Sequence, residues 1–539
     1  IIFEGSIKDP RIINFEDFSG DKPSKQAVNI GDTYFVIKIP AFDDIDKINF
    51  YSSNKGQGSK KIAEVKLNSR LEHVIIGNNG RPDCPDNYVS DCSGDGDCCP
   101  ESWIGDNYAD CEDQAYGCDL TCYDNDGGDC DEIDSQFSVT DIMVNGEDDS
   151  RVNIVFLGDG YTQNQMPDYL LDVEDVTTAL FESVPYSNYI NYFNVYAINV
   201  ISNESGTDHP GTAPDCGGYN NNVFFADTYF DSSFDLYNIH RLLYVQDISG
   251  ALNVLAENTP QWDIAFVMVN TTMYGGAGGT FAVFSRHNTS TEIAIHEIGH
   301  SFAGLADEYW AGFNYAGEYA NMTENNNPDT ITWGPWLYDN GIGIYAHQSP
   351  GQDWYKPHQN CKMQFLGPPF CSVCAEQTVK SVYNILEPID SYYPEELELI
   401  VEPSELISFG IEPILSIPNS ISISWFIDGQ LIGEDITSIE LEASMYSLGE
   451  HEIKVSIIDE TDLVRNDPFN LLKNEFIWNL IIECNTNPDL NLDSEINIQD
   501  IILLVNHILG MSDTVCIDLN LDGTANILDI IYIINIILN

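Results

Sequence analysis

Apolar and polar residues alternate through TYFVIKIPAF (33–42) and KIAEVKLNS (61–69), with glycine and serine between the runs. A period of two predicts strands, so residues 1–80 read as a small all-β domain. Residues 81–133 are poor in hydrophobes and dense in cysteine, so disulfides must replace a core there. The pattern then becomes mixed over 134–388. RVNIVFLGDGY (151–161), NVYAINVIS (194–202) and DIAFVMVN (263–270) predict buried strands. YLLDVEDVTTALFESV (169–184) and the stretch carrying His296 have helical spacing, which predicts an α/β domain. Residues 389–482 return to alternation in LELIVEP, SISWFIDGQLIG, SIELEA and HEIKVSIID, and predict an immunoglobulin-like β-sandwich. PIDSYYPEE (388–396) reads as the hinge before it. Residues 483–539 hold a duplicated pattern, each half ending in an apolar helix, IILLVNHILG and IIYIINIILN.

At 539 residues the chain is too long for a single core, in keeping with several domains. No apolar run approaches the eighteen or more residues of a membrane-spanning helix. The chain opens at Ile1 with neither an initiator methionine nor a basic-then-apolar leader, and is read as a processed or trimmed product. Asp and Glu number 86 against 21 Lys and Arg, a formal charge of −65. Such a chain is repelled by nucleic acid and by anionic membranes, and most of its carboxylates read as a solvating surface. Eight of the 14 cysteines fall between Cys84 and Cys130, a density that suits disulfides and a secreted or cell-surface location.

The chemistry concentrates in AIHEIGHSFAGLADEYW (294–310). On a helix His296 and His300 share one face and can reach one zinc ion, and Glu297 lies beside them as general base for the water that the metal activates. Upstream, strand DIAFVMVN and the glycine-rich YGGAGG (274–279) read as an edge along which an extended substrate can pair. A straight helix would carry residue 307 about 10 Å beyond His300. Gly304 can take the left-handed conformation that ends a helix, doubling the chain back to bring Asp307 to the metal, with Glu308 as the alternative ligand. His347 and His358 are remoter candidates. Tyr355 is a candidate hydrogen-bond donor to a developing oxyanion. Cys361, Cys371 and Cys374 show no fourth ligand, so one disulfide is expected among them rather than a second metal.

LGDGYT (157–162), FNVYAINVISNESGTD (193–208), VNTTMYGGAGG (269–279), HEIGHSFAGLADEY (296–309) and CKM with FCSVC (361–374) together resemble the IgA-peptidase family of zinc metallopeptidases, over about residues 135–386. The resemblance implies a metzincin-like catalytic domain with zinc on His296, His300 and Asp307 and with Glu297 as base. The usual metzincin spacing would put the third ligand at residue 306, which is Ala306 here. Met363 looks like the methionine that metzincins place beneath the zinc, its plain alternative being an ordinary core methionine. Asp159 and Asp208 match family positions and receive structural roles only.

Two further resemblances complete the reading. CYDNDGGDC (122–130) resembles a Notch-type (LNR) calcium repeat, making Asp126 and Asp129 candidate calcium ligands. Its cysteine spacing departs from the animal pattern and leaves the pairing open. DLNLDSEINIQD and DLNLDGTANILD have the spacing of EF-hand loops, with oxygen donors at Asp489, Asn491, Asp493, Asn497 and Asp500, and at Asp518, Asn520, Asp522, Asn526 and Asp529. Ser494 stands where the sixth-position glycine is usual. Loop plus single helix, repeated, resembles a type I dockerin and implies calcium and a cohesin-like docking partner; Cys484 and Cys516 are positioned to pair. The expected fold class is therefore multidomain: an α/β metzincin-like zinc protease domain flanked by β-sandwich domains, a disulfide-rich calcium module and a small α-helical dockerin-like EF-hand pair. The expected function is secreted zinc endopeptidase. The alternative is a non-catalytic extracellular assembly or adhesion protein anchored through its tail.

Overall fold

The eight residues Val152–Asp159 are all buried, as a strand with a layer on each face requires, and the largest sheet is built around them. The computed structural model describes residues 12–17, 24–29, 47–52, 60–66, 88–90, 98–100, 120, 123, 137–219, 223–311, 315–347, 353–484, 487–491, 493–510, 517–520 and 525–538. The chain forms two units, one of residues 1–11, 31–138 and 252–258, the other of residues 12–30, 139–251 and 259–539.

In the first unit Lys47–Ser52 pairs antiparallel with Lys60–Lys66, and Tyr88–Ser90 with Cys98–Pro100. Cys99 is disulfide-bonded and buried, and it packs with Leu120, Val89 and Tyr123. Asp126, Asp129 and, apart from Cys98 in its strand, the other cysteines of the dense segment lie outside the described residues.

The second unit begins with an antiparallel hairpin, β1 (Ile12–Asp17) and β2 (Ser24–Asn29). Its mixed sheet comprises β3 (Val139–Met143), β4 (Val152–Asp159), β5 (Phe193–Ile198), β6 (Ile264–Val269), β7 (Gly276–Ala277) and β8 (Ala282–Ser285), in the order β7-β8-β6-β4-β5-β3. The four central strands run parallel and the two edges antiparallel. The short edge strand β7 comes from the glycine-rich stretch, and β1 lies beside it. Helix α1 (Met166–Phe181) buries Met166, Tyr169, Val173, Val176, Thr177, Leu180 and Phe181, a stripe three and four residues apart. It packs against α2 (Ser290–Ser301), and both share a core with Ile154, Phe156 and Phe266 of the sheet. A third helix, α3 (Ser372–Tyr383), closes the same core.

Two further sheets follow. One contains β9 (Ile389–Tyr393), β11 (Leu406–Pro413) and β14 (Ser438–Glu442). The other contains β10 (Glu398–Val401), β12 (Ile421–Ile427), β13 (Gln430–Glu434), β15 (Gly449–Asp459) and β16 (Lys473–Ile482), in the order β10-β16-β15-β12-β13. They enclose one core around Trp425 and Trp478, whose rings stack 5.9 Å apart. Each indole N–H is satisfied by a backbone carbonyl, Ile436 O and Pro394 O, so neither ring costs an unpaired donor. The segment expected to be a hinge is strand β9, and Arg151 pins it through an ion pair with Asp390, Nη2 to Oδ2 at 2.9 Å.

The β-sandwich is docked on the α/β body through a buried carboxylate. Asp459, at the end of β15, accepts hydrogen bonds from the Tyr189 and Tyr383 hydroxyls at 2.6 and 2.7 Å, and from Ser420 Oγ and the Thr461 amide. Ile414 and Leu472 of the sandwich join the core of the α/β body. Arg465 stacks over the Trp336 ring at 3.9 Å. The tail forms two helices, α4 (Ile498–Ile508) and α5 (Ile527–Leu538), around Leu504, Ile517, Leu519 and Ile533. Among the described residues no helix is long and apolar enough to cross a membrane.

Because a hydrogen bond to a charged group contributes about 1.5–3 kcal/mol, Asp459→Ala should lower unfolding stability by about 3 kcal/mol or more. Urea denaturation of the full chain measures it; an unchanged midpoint would show that the carboxylate does not hold the two bodies together.

Candidate active site

Helix α2 is buried on nearly every side, which takes His296 and Glu297 out of water; they are 0% and 7% exposed. The His296 and His300 rings lie 4.8 Å apart, one turn from each other. His296 Nδ1 bonds Lys362 O at 2.9 Å, and His300 Nδ1 bonds Leu305 O at 2.8 Å. A carbonyl can only accept, so each neutral ring carries its proton on Nδ1 and turns the Nε2 lone pair inward. The two Nε2 atoms stand 3.1 Å apart, and Asp307 Oδ1 lies 3.2 Å from one and 3.3 Å from the other. Three electron-pair donors therefore converge on one point.

The route of the chain to Asp307 follows from the end of α2. The Phe302 amide still bonds Ile298 O, then Gly304 takes φ +62° and the Leu305 amide turns back to Gly299 O at 3.0 Å. No atom crowds a Cβ at Gly304, so the left-handed backbone alone is what calls for glycine there. Asn321 then holds Ala306 by both backbone groups, accepting from its amide at 2.8 Å and donating to its carbonyl at 2.7 Å. His347 Nε2 donates to Asp307 O at 2.8 Å; burial holds the pKa of this imidazole below the usual range. Asp307 Oδ2 pairs with Lys25 Nζ of β2 at 2.7 Å, so the hairpin reaches the site.

Beneath the helix, Met363 is fully buried, and a Cβ on Gly299 would come within 2.6 Å of its sulfur. Behind Glu297 lies the glycine-rich rim, where a Cβ on Gly278 would stand 2.9 Å from Glu297 Oε2. Glu308 points away from the histidines into a second group formed with Cys361, Cys371 and Cys374. These three cysteines are free thiols, not the disulfide expected from the sequence. Burial pushes the Glu308 carboxyl well above its usual range and the Cys361 thiol up to about 12.

The remaining candidates have partners of their own. The Tyr355 hydroxyl accepts from Asn326 Nδ2 at 3.0 Å. His358 Nδ1 accepts from the Asn360 amide. Asp159 ties the end of β4 to the Phe230 and Ser232 amides, its carboxyl raised by burial, and Asp208 accepts from the Ala226 amide. His209, Cys216, Asp235 and His240 form a further buried group that the sequence reading missed. Its Asp235 accepts from Cys216 Sγ at 3.2 Å and from His240 Nδ1 at 2.9 Å.

In the tail, the two loops are wired alike. Asp500 accepts from the Leu490, Asn491 and Asn497 amides, and Asp529 from the Leu519, Asn520 and Asn526 amides. Asp489 caps the Asp493 and Ser494 amides, and Ser494 takes φ +71°, the left-handed turn that a sixth-position glycine makes more easily. Asp522 and Cys516 lie outside the described residues. Cys484 is disulfide-bonded.

The sequence pattern of the family described as IgA Peptidase M64 matches residues 140–336, which include α2, Asp307 and Glu308 and stop short of Cys361. No curated protein matches the chain. Among solved structures, fibronectin(III)-like modules of Clostridium thermocellum CbhA are 15% identical, over 17% of this chain and 93% of that one, at a TM-score of 0.13. The CARDB domain of a Pyrococcus furiosus protein is 13% identical, over 16% of this chain and 92% of that one, also at 0.13. Superposition that poor carries no argument about the fold.

Since a left-handed L-residue costs roughly 1–2 kcal/mol, Gly304→Ala should lower stability by about that amount. Gly304→Asn, which tolerates this conformation better, should lose less. Equal losses in urea melts of the two variants would mean that the turn is not what demands glycine.

Proposed function

We propose that this chain is a zinc-dependent endopeptidase acting on extracellular proteins, with His296, His300 and Asp307 as metal ligands and Glu297 as general base. The observation that carries the reading is the convergence of three electron-pair donors, 3.1–3.3 Å apart, beside a buried carboxylate. Donors on arms of about 2.0–2.1 Å around a tetrahedral centre stand about 3.4 Å apart, so the trio fits one zinc ion. The match of residues 140–336 to a peptidase family supports the same reading. When bound, the ion supplies Lewis acidity that polarises a peptide carbonyl and acidifies a water molecule.

The rest of the chemistry falls to side chains of this protein. Glu297, fixed on the same helix, takes the proton of the attacking water and delivers it to the leaving amine. The bonds from Nδ1 of both histidines to backbone carbonyls keep each ring aimed and its Nε2 free of a proton. The His347 and Asn321 contacts hold Asp307 in reach after the turn. A substrate in extended form would run along the β7 edge, the edge beside which β1 lies.

The tail loops read as calcium sites of a dockerin-like anchor for a cohesin-like partner. Ligands in the first are Asp489, Asn491, Asp493, Asn497 and Asp500, and in the second Asp518, Asn520, Asp522, Asn526 and Asp529. The matching backbone wiring of Asp500 and Asp529 supports the duplication. Disulfides at Cys99 and Cys484 support secretion.

Replacing Glu297 by Gln should leave bound zinc unchanged and reduce cleavage of unfolded protein substrates by roughly 10²–10⁴-fold. Chelator-sensitive cleavage that survives Glu297→Gln would sink the assigned mechanism. A chain that neither holds zinc nor cleaves any protein tried would favour the non-catalytic assembly reading. Removing calcium while zinc is buffered should melt α4 and α5 and leave α2 folded, followed by proteolysis of the two regions. A tail equally protected with and without calcium would refute the calcium loops.

A further inference from the structure

We propose that Glu308, Cys361, Cys371 and Cys374 form a second metal site, a buried tetrahedral centre that takes one zinc ion and clamps the Asp307 loop to the Met363 segment. All four side chains are shielded from water, three of them completely, with Cys371 7% exposed. The sulfurs of Cys361 and Cys374 lie 3.7 Å apart, and those of Cys371 and Cys374 lie 3.6 Å apart. Glu308 Oε1 stands 3.2 Å from Cys374 Sγ and 3.8 Å from Cys371 Sγ. Tetrahedral zinc with arms of about 2.3 Å to sulfur and 2.0 Å to oxygen separates two sulfurs by about 3.8 Å and a sulfur from an oxygen by about 3.5 Å. The four donors thus stand at the spacing of a metal shell. A disulfide would bring two sulfurs to about 2.05 Å.

The surroundings complete the site. The other oxygen of Glu308, Oε2, is buried and has no hydrogen-bond partner among the described residues. Cys371 is the N-cap of α3 and Cys374 lies in its first turn, where the helix dipole favours thiolates. The Cys371 amide donates to Cys361 Sγ at 3.3 Å. Asn321 Nδ2 donates to Glu308 Oε1 at 3.4 Å, and the Lys356 ammonium donates to Glu308 O at 2.6 Å, adding positive charge beside an anionic set of ligands. Three thiolates make the site soft, which selects zinc over calcium or magnesium. In the His209–Cys216–Asp235–His240 group, by contrast, the carboxylate already accepts from Cys216 Sγ, His240 Nδ1 and the Thr212 amide.

Position explains what such an ion does. Glu308 directly follows Asp307, and its amide donates to Met363 O at 2.7 Å. Cys361 directly precedes Lys362, whose carbonyl orients His296. One ion joined to Glu308 and Cys361 therefore fixes both flanks of the active site, and these four residues act as positioning groups. The site stands apart from the peptidase reading, because none of its ligands belongs to the His296–His300–Asp307 trio.

The test uses the full chain carrying His296→Ala and His300→Ala, which removes the first metal site. This protein should still retain zinc, and Cys374→Ser added to it should lower bound zinc by one ion per chain. Zinc X-ray absorption of the parent should show three sulfur neighbours at about 2.3 Å. Cobalt(II) in place of zinc should give a sulfur-to-metal charge-transfer band that Cys374→Ser weakens and Glu308→Cys strengthens. If Cys374→Ser fails to fold, the absorption spectrum of the parent decides by itself. Only nitrogen and oxygen neighbours around zinc, or a disulfide among the three cysteines in non-reducing peptide maps, would overturn the site. So would zinc content unchanged in a folded Cys374→Ser chain.

Discussion

Two imidazole lone pairs and a carboxylate oxygen cannot stand within 3.3 Å of one another unless something holds each in place, and much of the α/β body serves that end. The helix spacing supplies the first two donors. The third arrives only because the backbone reverses at Gly304 and is caught by Asn321 and His347. Each histidine is held from behind by a backbone carbonyl, one local to the turn and one from the distant segment before Met363. The geometry is therefore shared between a helix, the turn that ends it, and a loop some sixty residues downstream.

Asp307 and Glu308 show how a single peptide link can serve two centres. The two side chains of this link go to different groups of ligand atoms. One carboxylate faces the histidines, and the other enters the thiol cluster at the start of α3. Whatever fixes the second carboxylate also limits the freedom of the first. The β-sandwich adds a further constraint at a distance, because Asp459 gathers the hydroxyls of Tyr189 and Tyr383 beneath the same core.

Much of this architecture was legible in the chain itself. The strands at 152–159, 193–198 and 264–269 and the helix at 166–181 follow from unbroken or striped apolar runs, which leave little choice of period. The turn at Gly304 followed from a simple length argument, and Asp307 rather than Glu308 is the carboxylate that meets the histidines. The reading failed where the answer lay far off in sequence. A disulfide was expected among Cys361, Cys371 and Cys374 because no fourth donor was near, yet Glu308 lies more than fifty residues earlier. The supposed hinge at 388–396 carries strand β9, since its pairing partner β11 and its anchor Arg151 are both remote.

Local spacing by itself determined which residues can share a helix face, where the backbone must reverse, and which loops repeat. Those follow from periods of two and 3.6 and from the few residues that tolerate a left-handed turn. Only the tertiary structure decided which side chains meet across long separations: Lys25 with Asp307, Asn321 with Ala306, Glu308 with the three thiols. Such contacts depend on how whole elements pack, and no local pattern encodes the position of a donor that the fold brings in from another part of the chain.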